Sequence, residues 1–275
     1  MAPDVGKLAA PRFPARPCGY HALAGDASFA VYDCVCGHGV RSPRIEGAYD
    51  RPRICVLLDG TFHVRSSAGS VVAGPGALLL GHAGAGYEYR HLDDGGDRSV
   101  VFKYDPALLD ELGALRAASV PASASSARVV ALTYEALLAG DPDALREAAL
   151  AVADVAISHG VSSSAPPGAH ARRISQVLRY IEAHHAGDCS LDTLAALARL
   201  SSFHFLRTFR AITGQTPRQV VIATRLRAAA AHLRSTNRPI SDIALDVGFG
   251  DLSHFMASFA RAFGRSPGAY RRVAR

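Results

Sequence analysis

The stretch that decides the fold is IALDVGFGDLSHFMASFARAFGRSP, residues 243–267, because an earlier stretch repeats its pattern: LAALARLSSFHFLRTFRAITGQTP, residues 194–217. Leu194 matches Ile243 at an offset of 49 residues. The second copy has one more residue after its turn, and the later matches are 50 residues apart: His204/His254, Phe205/Phe255, Phe209/Phe259, Gly214/Gly264 and Pro217/Pro267. A period of this size predicts a duplicated supersecondary unit, here a helix, a tight turn and a second helix.

The region around the two copies predicts seven helices, because capping residues and helix breakers divide it at short intervals. The predicted ranges are 172–184, 191–199, 202–213, 217–235, 242–247, 251–263 and 268–273. Ser190 or Asp188 is the predicted N-cap of the helix at 191–199. Gly214 and Gly264 are predicted to end the second helix of each copy.

The second helix of each copy has an apolar face and a polar face. Aromatic residues four positions apart, such as Phe255, Phe259 and Phe263, are predicted to be buried. The outward faces carry His, Ser, Thr and Arg, which can read base edges when a helix lies in a major groove. The predicted DNA-binding residues are Ser202, Phe203, His204, Arg207, Thr208, Arg210, Asp251, Ser253, His254, Ala257, Ser258 and Arg261.

Charge divides the 275 residues into two unequal parts. From Ala171 onward there are 16 Arg, no Lys and 6 acidic residues, whereas the preceding 170 residues carry 14 basic and 18 acidic groups. A basic part attached to a slightly acidic body is typical of a polyanion-binding domain fused to a second function. We call the second helices of the two copies, 202–213 and 251–263, the reading helices. Arginines outside them are expected to contact phosphates: Arg218, Arg225, Arg227, Arg265, Arg271 and Arg272.

The spacing of the two copies also favours duplex DNA. A single arginine-bearing amphipathic helix is more often a solvated surface than a binding site, but two matched copies argue against that interpretation. The helix predicted between them has 19 residues and is about 28 Å long at 1.5 Å per residue. It would separate the two reading helices by about one turn of DNA, roughly 34 Å.

The second copy also carries a family signature. Its residues are Ile240-Ser241-Asp242-Ile243-Ala244-Leu245-Asp246-Val247-Gly248-Phe249, then Phe255, Phe259, Phe263-Gly264, Ser266-Pro267 and Tyr270-Arg271. With them, the last 100 or so residues resemble the AraC/XylS-type transcription regulators. The resemblance implies a bacterial regulator that binds promoter DNA through two helix-turn-helix units and contacts RNA polymerase, usually to activate transcription.

Three residues of the second copy depart from the family's common pattern. Gly250, Leu252 and Ala257 stand where serine, glutamine and a basic residue are common. The second reading helix is therefore expected to make fewer contacts to bases and phosphates. Arg207 in the first helix is expected to carry more of the affinity.

Residues 28–104 are predicted to form strands, and a short helix is predicted at 107–115. The predicted strands are 29–36, 53–58, 61–65, 70–73, 77–80, 87–91 and 98–104, which suggest a small barrel or sandwich. Asp59-Gly60 is the strongest hairpin signal, since a type I′ turn needs positive φ at both central positions. Gly74-Pro75-Gly76 with Leu80-Gly81-His82 loosely resembles the second motif of the cupin-type sensor domain that many of these regulators carry. The predicted fold is α+β, a cupin-like barrel and helical segment before an all-α domain.

The predicted organisation has five parts: a flexible arm at 1–20, a sensor domain at 21–115, a helical segment at 116–160, a linker at 161–170 and a DNA-binding domain at 171–275. The helical segment contains two predicted helices, at 128–139 and 142–158, and the second begins with Asp141 as its N-cap and Pro142 in its first turn. The second helix carries an apolar stripe that must bury against the barrel or against a second copy of itself. We expect a homodimer formed through this segment. A small-molecule effector in the barrel is expected to bias the DNA-binding domain through the linker.

Cys34-x-Cys36-x-His38 is a candidate metal or redox sensor, with Cys55, His82 or His91 as possible neighbours. Against it, no CxxC pair is present, and free cysteines are commonly buried as small apolar residues. In the resemblance to cupins, Arg41-Ser42-Pro43-Arg44-Ile45-Glu46 occupies the place of the metal-holding motif with its paired histidines. We therefore expect no metal, no cofactor and no catalytic residue.

Two other functional classes compete with this interpretation. One is a cupin-fold enzyme, or a metal or redox sensor, that carries a helical DNA-binding domain; the other is a polyanion-binding protein without sequence preference. The sequence has no GxSxG, P-loop or HExxH motif. It also lacks an apolar leader and any run of about 18 apolar residues, so we expect a cytoplasmic protein without a membrane partner.

Overall fold

The computed structural model describes residues 18–162 and 170–273. The strands are β1 (Gly19–Gly25), β2 (Phe29–Cys36), β3 (Ile45–Ala48), β4 (Arg53–Asp59), β5 (Phe62–Ser66), β6 (Gly69–Ala73), β7 (Leu78–Gly81), β8 (Gly86–His91), β9 (Asp97–Tyr104) and β10 (Ser119–Val120). The helices are α1 (Pro106–Leu112), α2 (Ala124–Ala139), α3 (Pro142–His159), α4 (Ala171–His184), α5 (Leu191–Leu197), α6 (Ser202–Thr213), α7 (Pro217–Ser235), α8 (Ile240–Asp246), α9 (Leu252–Phe263) and α10 (Pro267–Val273). No helix in these two ranges is long and apolar enough to cross a membrane.

The strands form two antiparallel sheets. One has six strands in the order β1-β2-β9-β4-β7-β10, and the other has four in the order β3-β8-β5-β6. Successive side chains of a strand point to opposite faces. Ile54 and Val56 of β4 accordingly belong to the core shared with α2 and α3, whereas Cys55 and Leu57 belong to the core shared with the four-stranded sheet. The six-stranded sheet is therefore covered on both faces.

The hairpin predicted at Asp59-Gly60 was wrong. β4 pairs with β7 and β9, and β5 pairs with β6 and β8, so the chain crosses from one sheet to the other at this dipeptide. Gly60 has a φ of +87°, and the Asp59 carboxylate accepts a hydrogen bond from the Gly60 amide at 2.7 Å. The dipeptide supplies the positive φ that its sequence indicates, but in a crossover.

The predicted strands are present with ends shifted by at most one residue, and 29–36 matches β2 as predicted. Three strands were missed: β1 and β3 contain glycine, and β10 has only two residues. β1 includes Gly19 and Tyr20, so the arm predicted at 1–20 was wrong at its end. Residues 1–17 of that arm lie outside the described residues.

The two helices that follow the sheets pack on the larger one. Asp141 caps α3, and Pro142 lies in its first turn. The predicted apolar stripe of α3 is buried in the core shared with α2 and the six-stranded sheet: Leu145, Ala149, Val152, Ala153 and Ala156. α2 begins at Ala124, earlier than predicted, because Ser123 and Ser126 form a capping box. The stripe therefore packs against the sheet of this chain and not against a second copy of the helix.

The C-terminal helices form the two predicted units, α5–α6 and α8–α9, joined by α7. The predicted ranges 202–213 and 217–235 match α6 and α7, and the other helices differ by one or two residues at an end. Ser190 is the N-cap of α5. Phe205 and Phe209 anchor one core, and Phe255, Phe259 and Phe263 anchor the other.

The N-terminal and C-terminal parts of the described chain contact each other on more than one side. α2 packs against α7 and α9, where the Glu135 carboxylate accepts from the Tyr270 hydroxyl at 2.5 Å and pairs with Arg234. On the other side, the Thr61 and Ser175 hydroxyls are hydrogen-bonded at 2.7 Å. Residues 163–169 of the predicted linker lie outside the described residues. The five-part division of the chain stays a proposal.

Candidate nucleic-acid interface

α6 presents its polar face outward because its apolar face is fixed at both ends. Ser201 caps the helix through the His204 amide, and Gly214, with a φ of 75°, ends it. Phe205 and Phe209 are completely buried. The opposite face exposes three polar residues predicted to bind DNA: His204, Arg207 and Arg210.

Three other predicted residues of this unit differ in exposure. Phe203 is 77% exposed, an unusual position for an aromatic side chain. Thr208 is half-buried. The Ser202 hydroxyl donates to the Asp192 carboxylate at 2.6 Å, which ties the start of α6 to α5. Ser202 thus positions the helix in addition to facing the predicted DNA surface.

α9 presents a polar face with fewer exposed arginines than that of α6. Asp251 caps the helix, since its carboxylate accepts from the amides of Ser253 at 2.7 Å and His254 at 3.3 Å. The residues of this unit that are exposed, as predicted, are Asp251, Ser253, His254, Ala257 and Arg261.

The predicted outward placement of Ser258 was wrong. This residue is only 8% exposed. It follows Phe255 by three positions, which places it at the border of the buried face, and α2 adds a contact to α9 that the local pattern does not reveal.

The arginines predicted to bind phosphates divide into two groups. The Arg225 guanidinium donates to the carbonyl oxygens of His185 at 2.7 Å and Gly187 at 3.3 Å, and burial lowers its pKa. Arg227 has a side chain only 10% exposed and pairs with Glu182 at 2.8 Å. The phosphate role predicted for these two is therefore wrong, because both hold α4 against α7.

Of the remaining four, Arg271 is half-buried and donates to the Arg238 carbonyl at 2.6 Å. The other three are exposed on the C-terminal part: Arg218, Arg265 and Arg272.

A cleft of about 630 Å³ separates the two units and is lined by residues of both. Leu206 of α6 and His254 of α9 border it on opposite sides, and Arg218 lies in it on the first turn of α7. Thr216 and Gln219 form a capping box that fixes this turn. The positively charged Arg218 side chain thus lines the cleft between the two units.

His170, at the end of the predicted linker, contacts the first reading helix. Its ring meets that of His204 edge to face, with centroids 5.5 Å apart. The sequence did not indicate this contact, because the two residues belong to different predicted parts and share no motif.

Comparison with known proteins agrees with this architecture. A model of the helix-turn-helix domain matches residues 194–273. The regulatory protein SoxS of Escherichia coli is 35% identical over 102 residues, which are 37% of this chain and 95% of that protein. The transcriptional activator NphR of a Rhodococcus species is 27% identical over 234 residues, 80% of this chain and 69% of that protein.

Among solved structures, a probable AraC family transcriptional regulator from Rhodopseudomonas palustris is 30% identical. It covers 38% of this chain, this chain covers 97% of it, and the TM-score is 0.36. The duplicated helix-turn-helix unit and the near-complete match to SoxS lead to one conclusion. This chain belongs to the AraC/XylS-type family of DNA-binding transcription regulators.

Proposed function

We propose that this chain activates transcription by recognising a specific promoter sequence through α6 and α9. The observation that carries the proposal is the pair of exposed polar helix faces, repeated at an interval of 50 residues and anchored by buried phenylalanines. The 19-residue helix α7 joins the two units. Two successive major-groove segments on one side of a duplex are the target that such a pair fits.

The two reading faces have unequal roles in this proposal. α6 exposes Arg207 and Arg210, and none of the described carboxylates pairs with either. Arginine forms bidentate hydrogen bonds to guanine, the commonest specific contact in the major groove. α9 offers Ser253, His254 and Arg261 in the corresponding place. We therefore assign most of the affinity to α6.

Arg218, Arg265 and Arg272 contact the phosphate backbone in this proposal. All three are exposed on the C-terminal part, which carries the excess of basic residues. Such contacts set the register on the duplex and make binding depend on salt, without reading the sequence.

The role as an activator rests on the family and on one relative. NphR, which aligns with 80% of this chain, is named a transcriptional activator. We extend that role to this protein, with RNA polymerase as its partner at the promoter. We also propose a homodimer; because the stripe of α3 is already buried, its interface would use the outward side of that helix, where Leu150 is 46% exposed.

We place effector control at the contact between the two parts of the chain. The interior between the two sheets of the proposed cupin-like sensor is filled by a buried apolar cluster. By contrast, α2 and α7 border a cleft of about 490 Å³, within the size range of small-molecule sites. Tyr134 and Leu138 line it from α2, and Arg227 and Arg234 line it from α7. A molecule bound there would favour one arrangement of the reading helices over another.

Selection of bound duplexes from a random DNA pool by the full-length protein tests the proposal. We expect enrichment of a two-part sequence whose halves lie about 10–10.5 base pairs apart. Unrelated competitor DNA should not displace the selected duplex at moderate salt. Binding without an enriched sequence, equally displaced by any duplex, would instead indicate a polyanion-binding protein.

A further inference from the structure

A cluster of metal-ligating side chains lies where the two sheets meet, far from the reading helices in sequence. Cys36 is the last residue of β2 and pairs directly across the sheet with Asp97, the first residue of β9. His91 is the last residue of β8 in the other sheet. The three positions are set by strands, so the cluster has a rigid frame.

The ligand atoms of these residues converge on one point. The Cys36 Sγ lies 3.4 Å from the His91 Nε2, and the Asp97 Oδ2 lies 2.9 Å from the same nitrogen. All three atoms lie within 4.8 Å of one another. Ligands at the usual zinc distances in a tetrahedral site are roughly 3.4–3.6 Å apart, so a small opening of the pair of His91 and Asp97 would admit an ion.

The geometry does not match a cysteine–histidine–aspartate catalytic relay. In such a relay the carboxylate holds one ring nitrogen while the other faces the nucleophile. Here Cys36 and Asp97 both address Nε2 of His91. The thiol, the ring nitrogen and the carboxylate oxygen lie close enough together to share one cation.

Burial and neighbouring residues also suit an ion. The side chains of His91 and Asp97 are only 6% and 9% exposed, whereas Cys36 is partly accessible. Two other potential ligands lie nearby: the His38 ring packs edge-on against His91 with centroids 5.7 Å apart, and Cys18 lies beside Gly37. A fourth position is therefore within reach of protein or water.

We propose that Cys36, His91 and Asp97 bind a zinc-type divalent ion. Thiolate, imidazole and carboxylate are the three protein ligand types of zinc. Binding releases the thiol proton of Cys36 to solvent. Nothing in the reading helices takes part in this site.

The site lies at the base of a loop that contacts the DNA-binding part. Residues 92–96 connect His91 to Asp97, so two of the ligands bracket the loop. Leu92 belongs to the core around Phe205, and Asp93 pairs with Arg179 of α4. An ion would therefore fix both ends of a loop that contacts α4 and the core around Phe205. Binding or loss of the ion could in this way change the position of α6.

Cobalt binding to the full-length protein, stripped with a chelator and kept reduced, tests the proposal without DNA. We expect one Co²⁺ per chain, with the near-ultraviolet charge-transfer band of a thiolate–cobalt bond, displaced by Zn²⁺. Cys36→Ser should abolish the band, and Asp97→Asn should weaken binding by at least about tenfold. Cys189→Ser and His63→Gln are matched controls outside the cluster and should bind as the unaltered protein does.

A measurement on the unaltered protein covers the case in which a variant fails to fold. Zn²⁺ should protect Cys36, and not Cys189, from alkylation detected by mass spectrometry. Absence of saturable cobalt binding, a thiolate band that persists in Cys36→Ser, or alkylation of Cys36 at the same rate with and without Zn²⁺ would each overturn the proposal. Because none of these readouts involves DNA, failure here leaves the proposed promoter binding untouched.

Discussion

Arg199 and Gly248 occupy equivalent positions in the turns of the two helix-turn-helix units, 49 residues apart, and both have a left-handed backbone, with φ of 53° and 96°. Arg199 is the single non-glycine residue with positive φ in the described ranges. The conformation costs an L-residue about 1–2 kcal/mol. The turn of the first unit is therefore strained at Arg199, whereas Gly248 adopts the same conformation without this strain.

Gly248→Ala should destabilise the protein by about 1–3 kcal/mol. The alanine would have to keep the positive φ of Gly248. Its Cβ would lie 2.9 Å from both the Ala186 carbonyl oxygen and the Arg225 guanidinium. Arg199→Gly, the matched change, should alter stability by less than about 1 kcal/mol, because relief of strain offsets the added chain entropy. Denaturant titration followed by circular dichroism measures both. A loss for Arg199→Gly as large as that for Gly248→Ala would contradict backbone strain at Arg199.

Arg218→Ala and Arg225→Ala should separate a phosphate contact from a structural one. Arg218 is exposed in the cleft between the units. Its removal should reduce the slope of log affinity against log salt concentration by about one, the contribution of one phosphate contact. Arg225 holds two carbonyl oxygens of the α4 end, so its loss should cost about 1–3 kcal/mol of stability and leave the salt dependence unchanged. Binding isotherms at several salt concentrations provide the comparison; a reduced salt slope for Arg225→Ala would restore the role first predicted for it.

Glu135→Ala should loosen the contact between the two parts of the chain. The Glu135 carboxylate bonds the Tyr270 hydroxyl and the Arg234 guanidinium together. Hydrogen exchange should become faster in α2, α9 and α10 while the sheets stay protected. Tyr270→Phe should add little to Glu135→Ala, because both remove the same contact. Fully additive effects of the two changes would show that the contact is not shared.

His63→Gln should make stability less sensitive to pH. Burial lowers the pKa of His63 in the folded protein below its unfolded value of about 6.5. The unfolded chain therefore takes up a proton first, and the stability present above that value is lost as the pH falls through the folded pKa. The shift of the denaturation midpoint between pH 7.5 and 5.5 should be smaller in the variant. An unchanged shift would mean that His63 does not contribute.

The parts of the fold that the sequence predicted are those fixed by neighbours along the chain. Phe255 and Phe259 are buried because they recur on one face of a helix, and Gly214 and Gly264 end helices through a local φ. Asp59-Gly60 shows the limit of such signals. Its turn chemistry is local, but the choice of strand partners is not.

The errors at the interface have the same origin. Ser258 lies at the edge of the buried face of α9, and α9 packs against α2, more than a hundred residues earlier in the chain. Arg225 is engaged by the end of α4, 40 residues away. Cys36 and His91 were both noted as candidates, but their approach across 55 residues depends on how the two sheets meet.

Arg207 of α6 is proposed to make the main contact to promoter DNA. The most direct measurement is the affinity of Arg207→Ala for the selected duplex, by fluorescence anisotropy at moderate salt. Arg128→Ala, which removes the same charge from an exposed position on α2, is the control. We predict that Arg207→Ala keeps the fold and weakens binding by about 10- to 100-fold, corresponding to about 1–3 kcal/mol, while Arg128→Ala binds normally. Unchanged affinity of Arg207→Ala would contradict the account.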